Sequence, residues 1–339
     1  AAAALAMSPA MRDYLRAKRV SQSFSGDRRR QLIDALYHGD LKLEYDATVT
    51  RTAAEAFDAR SGNCLALVLM TSAFAKELGL TVRYQVVVGE DAWDRSGELY
   101  IAVGHVNLVL EDEQPRLGIA FAQRPLIVDF LPSRGASALD TREVDEPTVI
   151  AMYLNNRAVE SLASGRVDDA YWFAREAVRT APTLLSAYVT LGVVYRKREQ
   201  PEWSEAVLRR VADREPDHLI AMSNRVLALR DLGRDAEAQQ LTQRLAQLDP
   251  HPPFSYFKEG QAALREGRAE AARRLFAKEV ERAPHHHEFH FWLAVSHAEL
   301  NDPGAAAKAL ARAMEVSTTR RDHDLYAGKL ARLKALRVE

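Results

Sequence analysis

Cys64, His105 and Asp129 are the residues whose types and order could do covalent chemistry in this chain. A thiol can attack a carbonyl, an imidazole can move the proton, and a carboxylate can fix the ring's tautomer. Cys64 is the single cysteine among 339 residues. No internal disulfide can form, so the core has to come from burial alone. A lone cysteine is more often a small buried hydrophobe than a nucleophile, and its surroundings decide between the two.

Ser61, Gly62 and Asn63 break one element, and Cys64 opens a long apolar helical run that ends at Gly79. A sulfur in the first turn of a helix meets unpaired N–H groups and the positive end of the dipole. Both favour a thiolate, and the same N–H groups can hold an oxyanion. Short helices over 26–38 and 51–60 precede it. Strand-like segments follow in TVRYQVVVG, ELYIAVGHVNLVL and RPLIVDFLP, marked by β-branched residues and flanking Gly or Pro. Alternation puts His105 inside the second strand, on one face with Ile101, Val103 and Asn107. It puts Asp129 inside the third, with Ile127 and Leu131. A carboxylate in an apolar strand is costly unless paired, and antiparallel pairing would supply His105 as its partner. Asn63 and Asn107 are side-chain candidates for the oxyanion. Trp93, in GEDAWDRSGE (89–98), is a candidate cover for a substrate channel; a solvent-facing hairpin is the plainer reading of that segment.

RSGNCLALVLMTSAFAKELGLTVRYQVV, then GHVNLVL, then LIVDF resembles the core of the transglutaminase-like superfamily over roughly residues 50–132. Gly79, Leu80 and Arg83 match its middle strand, and Cys64, His105 and Asp129 match its triad in identity and order. The resemblance implies an α+β, papain-like core and an acyl-thioester mechanism on amide bonds, of protease, deamidase or transglutaminase type. The aromatic residues that surround the His in larger transglutaminases are missing.

The rest of the chain repeats itself. Pro182, Pro216, Pro250 and Pro284 recur every 34 residues, each after an amphipathic helical stretch. Ala170, Ser204, Ala238 and Ala272 fall twelve residues before them, and Ala306 continues the series into a unit where Thr318 replaces the proline. Small residues there let two helices approach closely. Gly192 and Tyr195 fit the small and aromatic positions of a first helix. Turns such as SGRVDDA and LGRDAEA suit helix ends and starts. Residues 151–318 thus resemble about five tetratricopeptide repeats, an all-α superhelix, with 319–339 as a polar capping helix. Such arrays hold a protein or peptide on the face built by first helices, and the union of the two domains occurs in bacterial members. Carried over from the family, that face includes Asn155, Val159, Val189, Val193, Arg196, Leu227, Arg230, Phe254, Phe257 and Phe291. Arg196 and Arg230 would stack on one wall and could clamp a carboxylate or phosphate, or else be solvated charges. The family's Lys and Asn carboxylate clamp is absent.

The domains expected are therefore 11–148 and 151–318, with 1–10 set apart as disordered or processed. A net charge of -1 gives no broad attraction to nucleic acid or anionic lipid. No stretch approaches the roughly 18 apolar residues of a membrane span. Location stays open. The absence of disulfides fits the cytoplasm, and the Ala-rich start fits a chain exported to the periplasm or cell envelope and clipped of its signal. No cofactor or metal is implied. His285, His286, His287 and His290 read as a solvated or intersubunit helix face, and Arg28, Arg29 and Arg30 as a solvated helix start. Two functions remain. One is a thiol acyl-transfer enzyme whose repeats recruit its substrate. The other is a non-catalytic repeat scaffold carrying a vestigial transglutaminase-like domain.

Overall fold

The computed structural model describes residues 2–18, 20, 27–39, 41, 43–87, 92–96, 99–103, 105–112, 124–130, 140–317 and 319–335. It divides into two compact units, one running to Leu248 and the other from Asp249.

The first unit begins with a short turn of helix at Ala2–Leu5 and helix α1, Pro9–Ala17, capped by the Ser8 hydroxyl. Ala4, within the segment 1–10 expected to be disordered or processed, is buried in the core, as is Met11 just after it. Helix α2, Arg28–Ile33, continues into a wider turn at Asp34–His38. Its basic start is not solvated: Arg28 and Arg29 are buried in ion pairs with Asp112 and Asp27, and only Arg30 stands in water. Unpaired charge cannot be buried cheaply, so the carboxylates are what let these guanidiniums in.

Strand β1, Glu44–Tyr45, pairs in parallel with β2, Ser61–Gly62, on either side of helix α3, Ala53–Ala59. Thr52 and Glu55 form a reciprocal capping box at the start of α3. Helix α4, Cys64–Glu77, is buried along nearly its whole length and stops at Gly79, whose φ of 67° favours glycine. Strands β3, Thr81–Val87; β4, Ala92–Ser96; β5, Leu99–Val103; β6, Val106–Glu111; β7, Leu126–Val128; and β8, Thr141–Val144 follow. Four of them form an antiparallel sheet in the order β7-β6-β3-β8, while β4 and β5 pair separately. The run ELYIAVGHVNLVL is therefore two strands in different sheets, not one. Tyr84 of β3 hydrogen-bonds Ser72 of α4, so the face carrying Tyr84, Leu108 and Val128 packs on that helix.

Helix α5, Glu146–Ala163, starts at the Asp145 cap and pairs with α6, Val167–Thr180. Two more pairs follow: α7, Leu185–Lys197, with α8, Pro201–Arg214; and α9, Leu219–Asp231, with α10, Asp235–Leu248. Val149, Ala151, Tyr153 and Leu154 of α5 lie in the same core as α4. The boundary expected near 148–151 is thus no break between compact units, because the first helix pair uses the N-terminal domain as its packing partner.

In the second unit α11, Ser255–Arg265, pairs with α12, Ala269–Arg282, and α13, His287–Glu299, pairs with α14, Pro303–Glu315. Helix α15, Arg320–Ala335, closes the end by burying Tyr326 and Leu330 against Ala294, Ala309 and Ala313.

The 34-residue clock is visible in the backbone. Ala170, Ser204, Ala238, Ala272 and Ala306 are all buried, and Pro182, Pro216, Pro250 and Pro284 each sit two residues past a helix end. Gly192 shows why the position must be small: a Cβ there would lie 2.7 Å from the Leu208 side chain. Thr318 lies outside the described residues. Between the helices of successive pairs Gly165, Glu199, Gly233, Gly267 and Asn301 all take left-handed φ, from 55° to 74°. Four are Gly or Asn, the residues that tolerate this region; Glu199 is not. Glu199→Gly is expected to raise the unfolding free energy in urea by roughly 1 kcal/mol, the usual left-handed penalty less the chain entropy of glycine. A loss of stability would mean that the exposed glutamate contributes more than its backbone costs.

Candidate functional site

Topology gathers the three chemical residues at one end of the sheet. Helix α4 hands over to β3 through a tight turn, so β3 runs back along it. Strand β6 is antiparallel to β3 and starts where α4 starts; β7 is antiparallel to β6 and ends there. Cys64 is the first residue of α4, His105 precedes β6 by one residue, and Asp129 follows β7. Alternation predicts His105 and Asp129 inside strands, but β6 begins after one and β7 ends before the other. Each lies just past a strand end, where the pleat no longer dictates side-chain direction.

His105 and Asp129 are both buried, at 6% side-chain exposure each. The Nε2–H of His105 donates to Asp129, with Oδ1 at 2.8 Å and Oδ2 at 2.9 Å. Nδ1 is buried and has no partner at full hydrogen-bond geometry among the described residues. Cys64 is near enough to be among the groups that raise the ring's proton affinity. Burial is the largest single influence on His105 and pulls its pKa down. The hydrogen bond to Asp129, the hydrogen bond and field of Cys64, and the Asp129 charge together outweigh it and raise the pKa to about 9. A pKa raised this far favours the imidazolium at neutral pH.

This makes a stability prediction. The folded His105 binds its proton more tightly than an unfolded histidine with a pKa of about 6.5. Its contribution, on the order of 3 kcal/mol, is fully present below that value and is lost as pH rises through about 9. The urea-unfolding gap between the native chain and Asp129→Asn should therefore be widest near pH 6 and shrink toward pH 10. A gap that grows with pH would contradict a charged, paired ring.

At the helix start, Asn63 is the cap: its Oδ1 accepts from the Ala66 amide at 2.9 Å, and its Nδ2 donates to Thr50 Oγ1 at 2.7 Å. The Asn63 carbonyl takes the Leu67 amide. Asn63 is thus occupied as a cap, with one of its two amide hydrogens committed to Thr50. The amides of Cys64 and Leu65 precede the bonded ladder and are the donors at hand. Asn107 pairs in register with Gln85, on the sheet face opposite Tyr84 and Leu108, and so away from α4. It is fully buried, and no partner for its amide is found among the described residues. Trp93 falls on β4 opposite Ala102; its side chain lies outside the described residues, and with it the proposed channel cover. One side chain that sequence reasoning missed is Tyr37. It stacks near Phe130 at 5.3 Å and hydrogen-bonds Thr71 of α4 at 2.7 Å, tying the segment after Asp129 to the Cys64 helix. Burial pushes its hydroxyl pKa up.

The groove candidates fare unevenly. Phe254 and Phe257 are buried in the aromatic core of the second unit and line no open surface. Phe291 is half-buried, stacked on Tyr326 of α15 with Lys329 over its face. Asn155 is buried. Arg196 is ion-paired with Asp231, so it is not an open clamp with the exposed Arg230. A pocket of about 480 Å³ opens instead beside Gln261, Leu264, Arg265, Trp292, Val295 and Glu299. Helix α11 turns Phe257, Gly260 and Ala263 to the core, and the pocket stripe is displaced from that core stripe. The phase of α11's small residues would have revealed it.

The histidine cluster is not a solvated face. His290 is buried and donates to the Pro284 carbonyl at 2.8 Å, burial lowering its pKa; His287 bonds the Tyr326 hydroxyl at 2.7 Å; His286 stacks on Phe289.

Residues 189–253 and 257–318 match the tetratricopeptide repeat family. The C-terminal part of the chain therefore carries tetratricopeptide repeats, the match starting after the first helix pair. Among curated proteins no relative matches. Among solved structures the chain is similar to TTC0263, a thermophilic TPR protein of Thermus thermophilus, at 17% identity over 53% of this chain and 99% of that one, TM-score 0.32. It is also similar to YrrB, a TPR protein with an unusual peptide-binding site, at 20% identity over 53% and 92%, TM-score 0.28. MamA is a third, at 16% identity over 47% and 93%, TM-score 0.27. Likenesses this loose fix no geometry and no ligand. No helix among the described residues is long and apolar enough to cross a membrane.

Proposed function

We propose that the repeats hold a protein or peptide and that Cys64, His105 and Asp129 form a thiol-dependent acyl-transfer site acting on amide bonds. The observation that supports this reading is the His105 ring, held by Asp129 through Nε2, with Cys64 at a helix start among the groups that raise its pKa. The transglutaminase-like pattern in the sequence supports it. The thiolate attacks an amide carbonyl carbon, and the oxygen gathers negative charge at the Cys64 and Leu65 amides. His105 gives its Nδ1 proton to the leaving nitrogen as the C–N bond breaks, and a thioester remains on Cys64. Water or an amine then attacks the thioester carbon, losing its proton to His105 as the C–S bond breaks. Sulfur and ring return to their starting states. The acceptor decides between hydrolysis or deamidation and crosslinking.

A second reading, a non-catalytic interaction scaffold with a vestigial N-terminal domain, is favoured by two facts. The family match lies wholly in the repeats, and Cys64 is only 7% exposed. Iodoacetamide labelling of the folded chain, read by mass at Cys64, separates the two. An ordinary thiol with a pKa of about 8.5 is nearly inert at mildly acidic pH. Rapid labelling there supports the enzyme. Labelling that waits for alkaline pH or for urea returns the domain to a structural role.

A further inference from the structure

We infer that Thr50 is a positioning residue for Cys64 and that the first repeat helix, α5, holds it in place. The inference rests on the acyl-transfer reading and adds to it the device that orients the helix start. Thr50 is buried at 1% exposure and lies outside every helix and strand. Its hydroxyl oxygen accepts from Asn63 Nδ2 at 2.7 Å and from Asn156 Nδ2 at 3.3 Å. Its backbone N–H donates to Glu160 Oε1 at 2.7 Å, and its carbonyl accepts from Arg157 Nη1 at 3.3 Å. Arg157 and Glu160 are themselves paired at 3.4 Å. Three side chains within little more than one turn of α5 therefore grip a single loop residue, and that residue's hydroxyl reaches the neighbour of Cys64.

The chemistry of the carboxamide explains what the grip does. Asn63 must turn its oxygen toward the Ala66 amide to cap α4; turned the other way, its NH₂ would face another donor. The Ala66 N–H sets that orientation, and the Thr50 hydroxyl, accepting from Nδ2, holds the carboxamide in it. With the cap in place, Ala66 and Leu67 are satisfied, and the Cys64 and Leu65 amides keep their direction at the head of the helix. Without it the first turn can fray, and sulfur and oxyanion donors lose registration with His105. Asn156, Arg157 and Glu160 are thus as much a part of the Cys64 site as of the repeat they belong to.

The test is the iodoacetamide rate at Cys64 across pH, on the full chain, beside a thermal melt. Thr50→Val removes the hydroxyl while keeping shape and both backbone bonds; Thr50→Ser restores the hydroxyl. Thr50→Val is expected to slow folded-state alkylation at neutral pH about tenfold and to flatten its pH profile, and Thr50→Ser to recover the native rate and profile. A native rate in Thr50→Val overturns the inference, and so does a Thr50→Ser as slow as Thr50→Val, since packing and not the hydroxyl would then matter. If Thr50→Val does not fold, Asn156→Ala decides: slower alkylation supports the hub, an unchanged rate overturns it. A native chain whose Cys64 is unreactive overturns the acyl-transfer reading and this inference together. A reactive native chain with indifferent variants overturns the inference alone.

Discussion

Under the proposed acyl-transfer reading, the native chain is expected to release a burst of p-nitrophenol from p-nitrophenyl acetate that Cys64→Ala abolishes, while any peptide binding by the repeats stays intact. In that reading the sulfur alone forms a bond to the acyl group, so its loss should cost at least about a thousandfold. His105→Ala should cost nearly as much, because the proposed mechanism draws both its ion pair with sulfur and its leaving-group proton from the ring. The double variant should then be no slower than Cys64→Ala alone, since residues acting as one unit do not add. Asp129→Asn keeps a polar group at 2.8 Å from Nε2 but removes the charge that raises the ring's pKa. It should shift the pH profile to lower values as well as lower the rate. Equal bursts from native and Cys64→Ala chains would leave acyl transfer without a nucleophile. Loss of peptide binding along with the burst, in a folded Cys64→Ala, would break the separation between repeats and thiol.

What could be read from the chain follows how locally each feature is determined. The repeats announce themselves because a proline two residues past a helix and a small residue at a helix crossing act within a few residues, and the same demand recurs every 34. Cys64 could be placed at a helix start because Asn63 is a good cap and a continuous apolar run follows. His105 and Asp129 could be named but not placed. Period-two alternation assumes that a strand continues, and β6 begins after one of them while β7 ends before the other. Their meeting depends on the antiparallel order of β3, β6 and β7, which no local pattern states. Arg28 reads as solvated because its partner Asp112 is 84 residues away; Arg29 pairs locally with Asp27, but the Arg124 carbonyl that helps bury it is 95 residues away. Thr50 gave no signal at all, since its partners on α5 lie more than a hundred residues away. The aromatic groove candidates failed for a different reason. A large aromatic at a repeat position is claimed by the core first, as Phe254 and Phe257 are.

Arg28→Ala is expected to destabilise the first unit by about 3–5 kcal/mol, the usual cost of stranding one member of a buried ion pair. The guanidinium reaches Asp112 through Nε at 2.9 Å and Nη2 at 2.5 Å, and Nη1 donates to the Leu78 carbonyl at 3.0 Å, at the end of α4. One side chain thus joins α2, the end of β6 and the last turn of the Cys64 helix. Side-chain exposure at this pair is 10% and 6%, so water cannot replace what is lost. Arg28→Lys should recover only part of the stability, because an ammonium cannot span both carboxylate oxygens and the carbonyl in one plane. The joint variant Arg28→Met with Asp112→Leu removes both charges and should lie within about 2 kcal/mol of the native chain, since two apolar groups need no partner. Urea unfolding of the native chain and the three variants makes the comparison. If the double variant were as unstable as Arg28→Ala, the carbonyl of Leu78 and the packing of the guanidinium stem would be carrying the stability. Because the pair sits at the far end of α4 from Cys64, Arg28→Lys should leave the alkylation rate of Cys64 unchanged wherever the chain stays folded.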